Sequence, residues 1–269
     1  MTPNDQPHLG RRELIRNGTI TIALGGLLAA CGADRGGSDA PGRIGYAPKP
    51  ENDATDTTVD DAVILRTLQS LEYAVIEAEQ QFLDMGAFGQ DEDLAKRFIA
   101  DHQEHAATVG DLISSIGGEP YDCPNVFFMD RAVDPALEAA RDSDDVNRDA
   151  INSLYAFESL LGASYQALVP ALTDGSLRSA VMAIGDDEQR HAAVTALTIT
   201  PDPYNPEMVG GDAADAGEFG IPYAIPSTFA PLTGITLVVG RPVGEELKRT
   251  SISLQTPAEN TFVYGYLSC

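Results

Sequence analysis

The chain has 269 residues, with 17 Lys+Arg against 41 Asp+Glu and a formal net charge of −24. That balance argues against a nucleic-acid partner, whose phosphates need a basic face, and against docking on an anionic membrane by surface charge. Trp is absent and aromatics are 7%, so the core is expected to be Leu, Ile, Val and Ala, as in helical bundles; the length suits one moderate domain with extensions.

Residues 1–30 read as an address. Arg11 and Arg12 open a twin-arginine pattern, and a mildly apolar run follows from Gly18 to Ala30. The run is shorter than the roughly 20 apolar residues that cross a bilayer. It ends in Leu28-Ala29-Ala30-Cys31-Gly32, which resembles a lipobox and implies cleavage before Cys31 and lipid attachment to its thiol. An uncleaved anchor is the alternative. Either way the expected location is the outer side of the cytoplasmic membrane, with the anchor as the membrane contact. Residues 31–58 are Gly, Pro, Asp and Thr with little to bury, and are expected to be a flexible tether.

From residue 59 to 200 the helical period dominates. Leu65, Leu68, Glu72, Val75, Ile76, Glu79, Phe82 and Leu83 fall on one face of a first helix, which Gly86 to Gly89 interrupts. A second helix is expected over about 91–116, with Leu94, Phe98, His102, His105, Val109, Leu112 and Ile116 inward. The connection 117–146 is too long for a turn, and Asp134 to Glu138 suggests a short helix within it. A third helix is expected over about 147–172 (Leu154, Glu158, Leu161, Tyr165 and Leu168 inward). A fourth runs over about 176–197, with Leu177, Val181, Ile184, Glu188, His191 and Val194 inward. Residues 201–269 are Pro-rich and then carry short β-branched runs, an irregular extension ending in a small β element.

Three positions recur at one offset of 86 residues: Glu72 and Glu158, His102 and Glu188, His105 and His191. Of four histidines, three lie in these motifs, DHQEHAAT and DEQRHAAV. Residues three apart on a helix aim at one point. Two helices each giving a Glu and two each giving Glu-x-x-His form the inward ligand set of carboxylate-bridged di-metal bundles. On these residues, residues 60–200 resemble the ferritin-like superfamily, and more narrowly the bacterial exported ferritin-like domain proteins with their LEY and H-x-x-H/E-x-x-H motifs. The resemblance implies an all-α four-helix bundle with a long crossover between helices 2 and 3. It also implies a metal centre held by Glu72, His102, His105, Glu158, Glu188 and His191, with iron, manganese or zinc as one or two ions.

The match fails at His102, where the pattern has a second bridging Glu; a neutral imidazole has one free lone pair. A single ion, or an asymmetric pair bridged by Glu188 alone, is what the residues allow. The competing reading is a non-enzymatic envelope scaffold whose Glu and His merely hydrogen-bond one another. Asp101 and Asp187 correspond across the repeat and are either partners of the histidines or solvated acids. Glu79 corresponds to Tyr165, a pair read as a buried hydrogen bond or as a further ligand beside a tyrosine. Glu77 and Glu104 are expected in solvent. If Cys31 carries lipid, Cys123 and Cys269 either bridge in an oxidising compartment or stay free.

Overall fold

The computed structural model describes residues 58–199, 234–244, 248–255 and 261–269. Arg11, Arg12, Cys31 and the Pro-rich stretch after residue 199 lie outside them. Helix α1 (Asp61–Asp84) and helix α2 (Glu92–Ser115) form one hairpin. A crossover follows, containing a helical turn at Val126–Phe128, a π-helical turn at Met129–Val133 and the short helix α3 (Asp134–Arg141). Helix α4 (Val146–Leu168) and helix α5 (Gly175–Ile199) form the second hairpin. The architecture is the expected all-α bundle with its long crossover.

Local chemistry sets the helix ends. Asp60 caps α1, its carboxylate accepting from Val63 N at 2.9 Å, which satisfies one of the orphan donors of the first turn. Gly86, at φ +65°, takes the left-handed conformation that closes α1, with Ala87 N donating to Phe82 O. Asp145 caps α4 through Arg148 N at 2.9 Å. The α-helical part of α4 ends at Leu168, short of the expected 172, and a 3₁₀ turn at Val169–Ala171 takes over. Pro170 causes this: it lacks the N–H that the ladder needs and crowds the preceding turn.

The inward faces are mostly those the periodicity selects; Ile76, Leu83, Leu94 and Leu112 are only half-buried, and two positions depart outright. Ile116, the C-terminal cap of α2, and Val194 on α5 are exposed; Thr195 is buried in place of Val194, its hydroxyl bonded to His191 O. The larger difference is that α1 and α4 are buried nearly all round: every residue from Val63 to Glu72, and every residue from Arg148 to Gly162, is buried.

Two covers explain this. The antiparallel hairpin β1 (Gly234–Val243) and β2 (Lys248–Gln255) lays Leu237, Val239, Ile252 and Leu254 on α3 and α4, in one core with Ala136, Leu137, Ala140 and Ile151. Buried Asp149 accepts from Gly240 N at 2.6 Å, and buried Arg148 bonds Asp149 and Gly240 O, which ties the hairpin to α4. The crossover and residues 261–269 cover α1. Arg66 donates to Val263 O, Leu267 O and Glu119 O, and lies over the Tyr121 ring. Asn125 donates to Ser70 Oγ and Thr261 O. A disulfide, Cys123–Cys269, joins this segment to the crossover.

Candidate metal centre

Each helix of the bundle contributes to one buried cluster at mid-height. α1 supplies Glu72 and Glu79, α2 His102 and His105, α4 Glu158 and Tyr165, α5 Glu188 and His191. Glu72, His102, Glu158 and Glu188 are 0% exposed, and His105 and His191 8% and 7%. All six residues picked out by the repeat therefore converge. Leu65, Leu68, Val109, Ile113 and Val181 form an apolar layer on one side, and Phe82, Phe98 and Phe157 belong to the core on the other. Carboxylates in such surroundings are costly unless paired or bound to a cation.

His102 sits at the centre. Its Nδ1 lies 2.8 Å from Glu72 Oε2 and 3.5 Å from Glu188 Oε1; its Nε2 lies 3.0 Å from Glu158 Oε1 and 3.6 Å from Glu79 Oε1. His105 Nδ1 lies 2.6 Å from Glu188 Oε1, and His191 Nδ1 lies 3.3 Å from Glu158 Oε2 and 3.6 Å from Glu188 Oε2. The far nitrogens of these two rings face acids of the opposite half. His191 Nε2 is 3.4 Å from Asp101 and His105 Nε2 is 3.8 Å from Asp187, so the repeat's Asp residues attend the histidines, crosswise. Phe98 stacks on His191 with ring centroids 4.0 Å apart.

The expected Glu79–Tyr165 hydrogen bond is not formed. Tyr165 instead donates its phenol to Glu72 Oε1 at 2.5 Å, because α4 brings it level with Glu72. Glu77 and Glu104 are exposed, as read.

Burial and charge pull the ionisable groups in opposite directions. Burial pushes Glu72 up to about 7, with Glu188 adding repulsion and His102 opposing. Burial likewise pushes Glu79 up to about 8, against the pull of His102. Burial alone would depress the imidazoles, but Glu158 and Glu188 outweigh it, raising His191 to about 10 and holding His102 well above its ordinary value. Burial also disfavours ionised Glu188, yet His102, His105 and His191 hold it well below the usual carboxylate range. Protons and a divalent cation are thus alternative counter-charges for one set of carboxylates.

The donor atoms fit a metal. They form two sets, Glu72, His102, His105 and Glu188, and His102, Glu158, Glu188 and His191, the atoms of each lying within 4.8 Å of one another. Glu188 belongs to both, as a bridging carboxylate requires. Hydrogen bonds inside the cluster satisfy much of it. They do not reach Glu188 Oε2 or either oxygen of Glu79, buried atoms with no hydrogen-bond partner among the described residues. Buried polar atoms are nearly always paired, so carboxylate oxygens left unpaired beside these donor sets are open to a cation. Imidazole and carboxylate without thiolate suit iron, manganese or zinc.

A family model described as a ferritin-like domain matches residues 60–201, more than half of the chain. No curated protein and no solved structure matches it.

Proposed function

Because the chain belongs to the ferritin-like domain family, we propose that it is an exported, lipid-anchored protein that holds one or two metal ions, iron foremost, in its bundle core. The observation that carries the metal reading is the buried Glu/His cluster with carboxylate oxygens left unpaired inside it. Iron bound there would supply one-electron redox chemistry, the chemistry an oxidoreductase-type function would use. The chain's own residues do the positioning. Glu188 reaches both donor sets, and Tyr165 orients Glu72 by its hydrogen bond. Asp101 and Asp187 face the outer nitrogens of His191 and His105, an arrangement that orients imidazole ligands. The apolar layers on either side keep bulk water out.

Export and anchoring rest on Arg11, Arg12 and the Cys31 lipobox. The Cys123–Cys269 disulfide supports an oxidising compartment, and the leader and tether suit a domain carried on the outer face of the membrane.

One experiment tests both halves. The protein is produced with its own leader, fractionated, and analysed for metal. Recovery in the membrane fraction with one or two equivalents of iron, manganese or zinc is the expected result, and a Glu158→Ala/His191→Ala variant is expected to carry none. A well-folded protein without metal points to the scaffold reading instead, and recovery in the cytosol removes the export reading.

A further inference from the structure

We propose that Glu79 is a metal-ligand carboxylate on the Nε2 side of His102, standing in for the carboxylate that the repeat lacks at position 102. The inference rests on the metal-binding reading above and deepens it by assigning a residue that the repeat does not select.

The placement comes from α1. Glu72 and Glu79 are seven residues apart on one face of the helix, about 10 Å along its axis, and the imidazole of His102 fits between them. Its Nδ1 is 2.8 Å from Glu72 and its Nε2 3.6 Å from Glu79, next to Glu158 at 3.0 Å. A carboxylate kept for structure would be expected to carry hydrogen bonds. Glu79 is 1% exposed, and among the described residues neither of its oxygens has a hydrogen-bond partner. Its one sequence-level candidate, Tyr165, is taken by Glu72.

The repeat explains the choice of residue. Position 79 in the first half corresponds to Tyr165 in the second. Tyr165 caps Glu72 as a donor, whereas its counterpart is an acid beside the His102–Glu158 contact. The first half has thus lost one carboxylate, at His102, and gained one, at Glu79. The total returns to the four carboxylates of the di-metal bundle pattern. The two donor sets then differ: the set with Glu158 and His191 gains an anionic oxygen donor, and the set with Glu72 and His105 has a phenol-capped carboxylate instead. Unequal affinity of the two sets follows.

The test titrates the purified full chain and its Glu79→Gln variant with Mn(II), following heat by calorimetry and the bound ion by electron paramagnetic resonance. Denaturant unfolding without added metal is measured alongside. At least one wild-type equivalent is expected to bind the variant tenfold or more weakly, with a changed resonance spectrum and no loss of stability in the metal-free titration. Glu79→Asp, which keeps the charge, is expected to bind Mn(II) more tightly than Glu79→Gln. Superimposable isotherms for wild type and Glu79→Gln overturn the proposal and leave the metal reading standing. Weaker binding that merely tracks lost stability in both variants also overturns it, as a structural role. A wild-type protein that takes up no Mn(II), iron or zinc overturns the metal reading and this proposal together.

Discussion

The imidazole of His102 has a carboxylate at each nitrogen, and no carboxylate of the cluster reaches solvent. Such a centre stores its charge balance in protons when no cation is supplied, and this gives the metal-free protein a defined pH response. Glu72 and Glu79 are raised from 4.5 to about 7 and about 8, and His191 from 6.5 to about 10. The folded chain holds protons that the unfolded chain releases. The stability they contribute is complete below the unfolded values and is lost as pH rises through the folded ones. Glu188, held below 4.5, acts the other way and loses its contribution only in acid. The denaturant midpoint of the chelator-treated protein is therefore expected to fall between about pH 5 and pH 9, and saturating metal, which replaces those protons, to suppress the fall. A midpoint that rises over that window without metal contradicts the charge balance described. At this scale the sequence was informative: the 86-residue repeat, with an (i, i+3) pair in each half, selected six residues, all of which meet. Glu79 could be placed on the right face from its seven-residue spacing to Glu72, but its partner could not, since the level of Tyr165 depends on how α4 is set against α1.

Helices α1 and α4 depart from the amphipathic expectation because each is covered on two sides. Periodicity reports the face that is most apolar, so it found the bundle core. It could not report a second face closed by polar residues that find partners, such as Arg66, Thr67 and Asn152. Helix α5 shows the opposite constraint, close approach. A Cβ on Gly185 would lie 2.7 Å from Tyr165 Cβ, an atom fixed to the backbone of α4 that cannot swing away. Ala gains helix propensity over Gly by up to about 1 kcal/mol, whereas overpacking costs about 1–3 kcal/mol. Gly185→Ala is thus expected to destabilise the fold by about 1 kcal/mol net and to disturb the Tyr165–Glu72 hydrogen bond. Urea unfolding, with the environment of Tyr165 read by ultraviolet difference absorption, checks both. A gain in stability would show that α5 can move outward freely.

The molecule as a whole is a bundle sealed on its outer faces by chain from far away in sequence. Asn125 meets Thr261, and Arg66 meets Leu267 across 201 residues. The Cys123–Cys269 bridge, spanning 146 residues, makes the second closure covalent. Cys123→Ser/Cys269→Ser is expected to lose about 2–5 kcal/mol in denaturant unfolding while keeping its metal uptake at saturation, because the disulfide closes over the α1 exterior and not over the cluster. Loss of metal uptake in a folded double variant would show that the cover also holds the cluster in place. The sequence by itself determined the four helices, the crossover between them and the six-residue cluster, because an α-helix turns spacing into direction and the repeat supplied the spacing twice. It left two pairings open, the cysteines and Glu79 with Tyr165. Only the tertiary structure decided them, together with the burial of Arg66, Arg148 and Asp149 and the cover laid over α1 and α4. Those contacts join residues with no periodic relation to one another, and their energy depends on which backbone carbonyls, amides and rings the folded chain brings within reach.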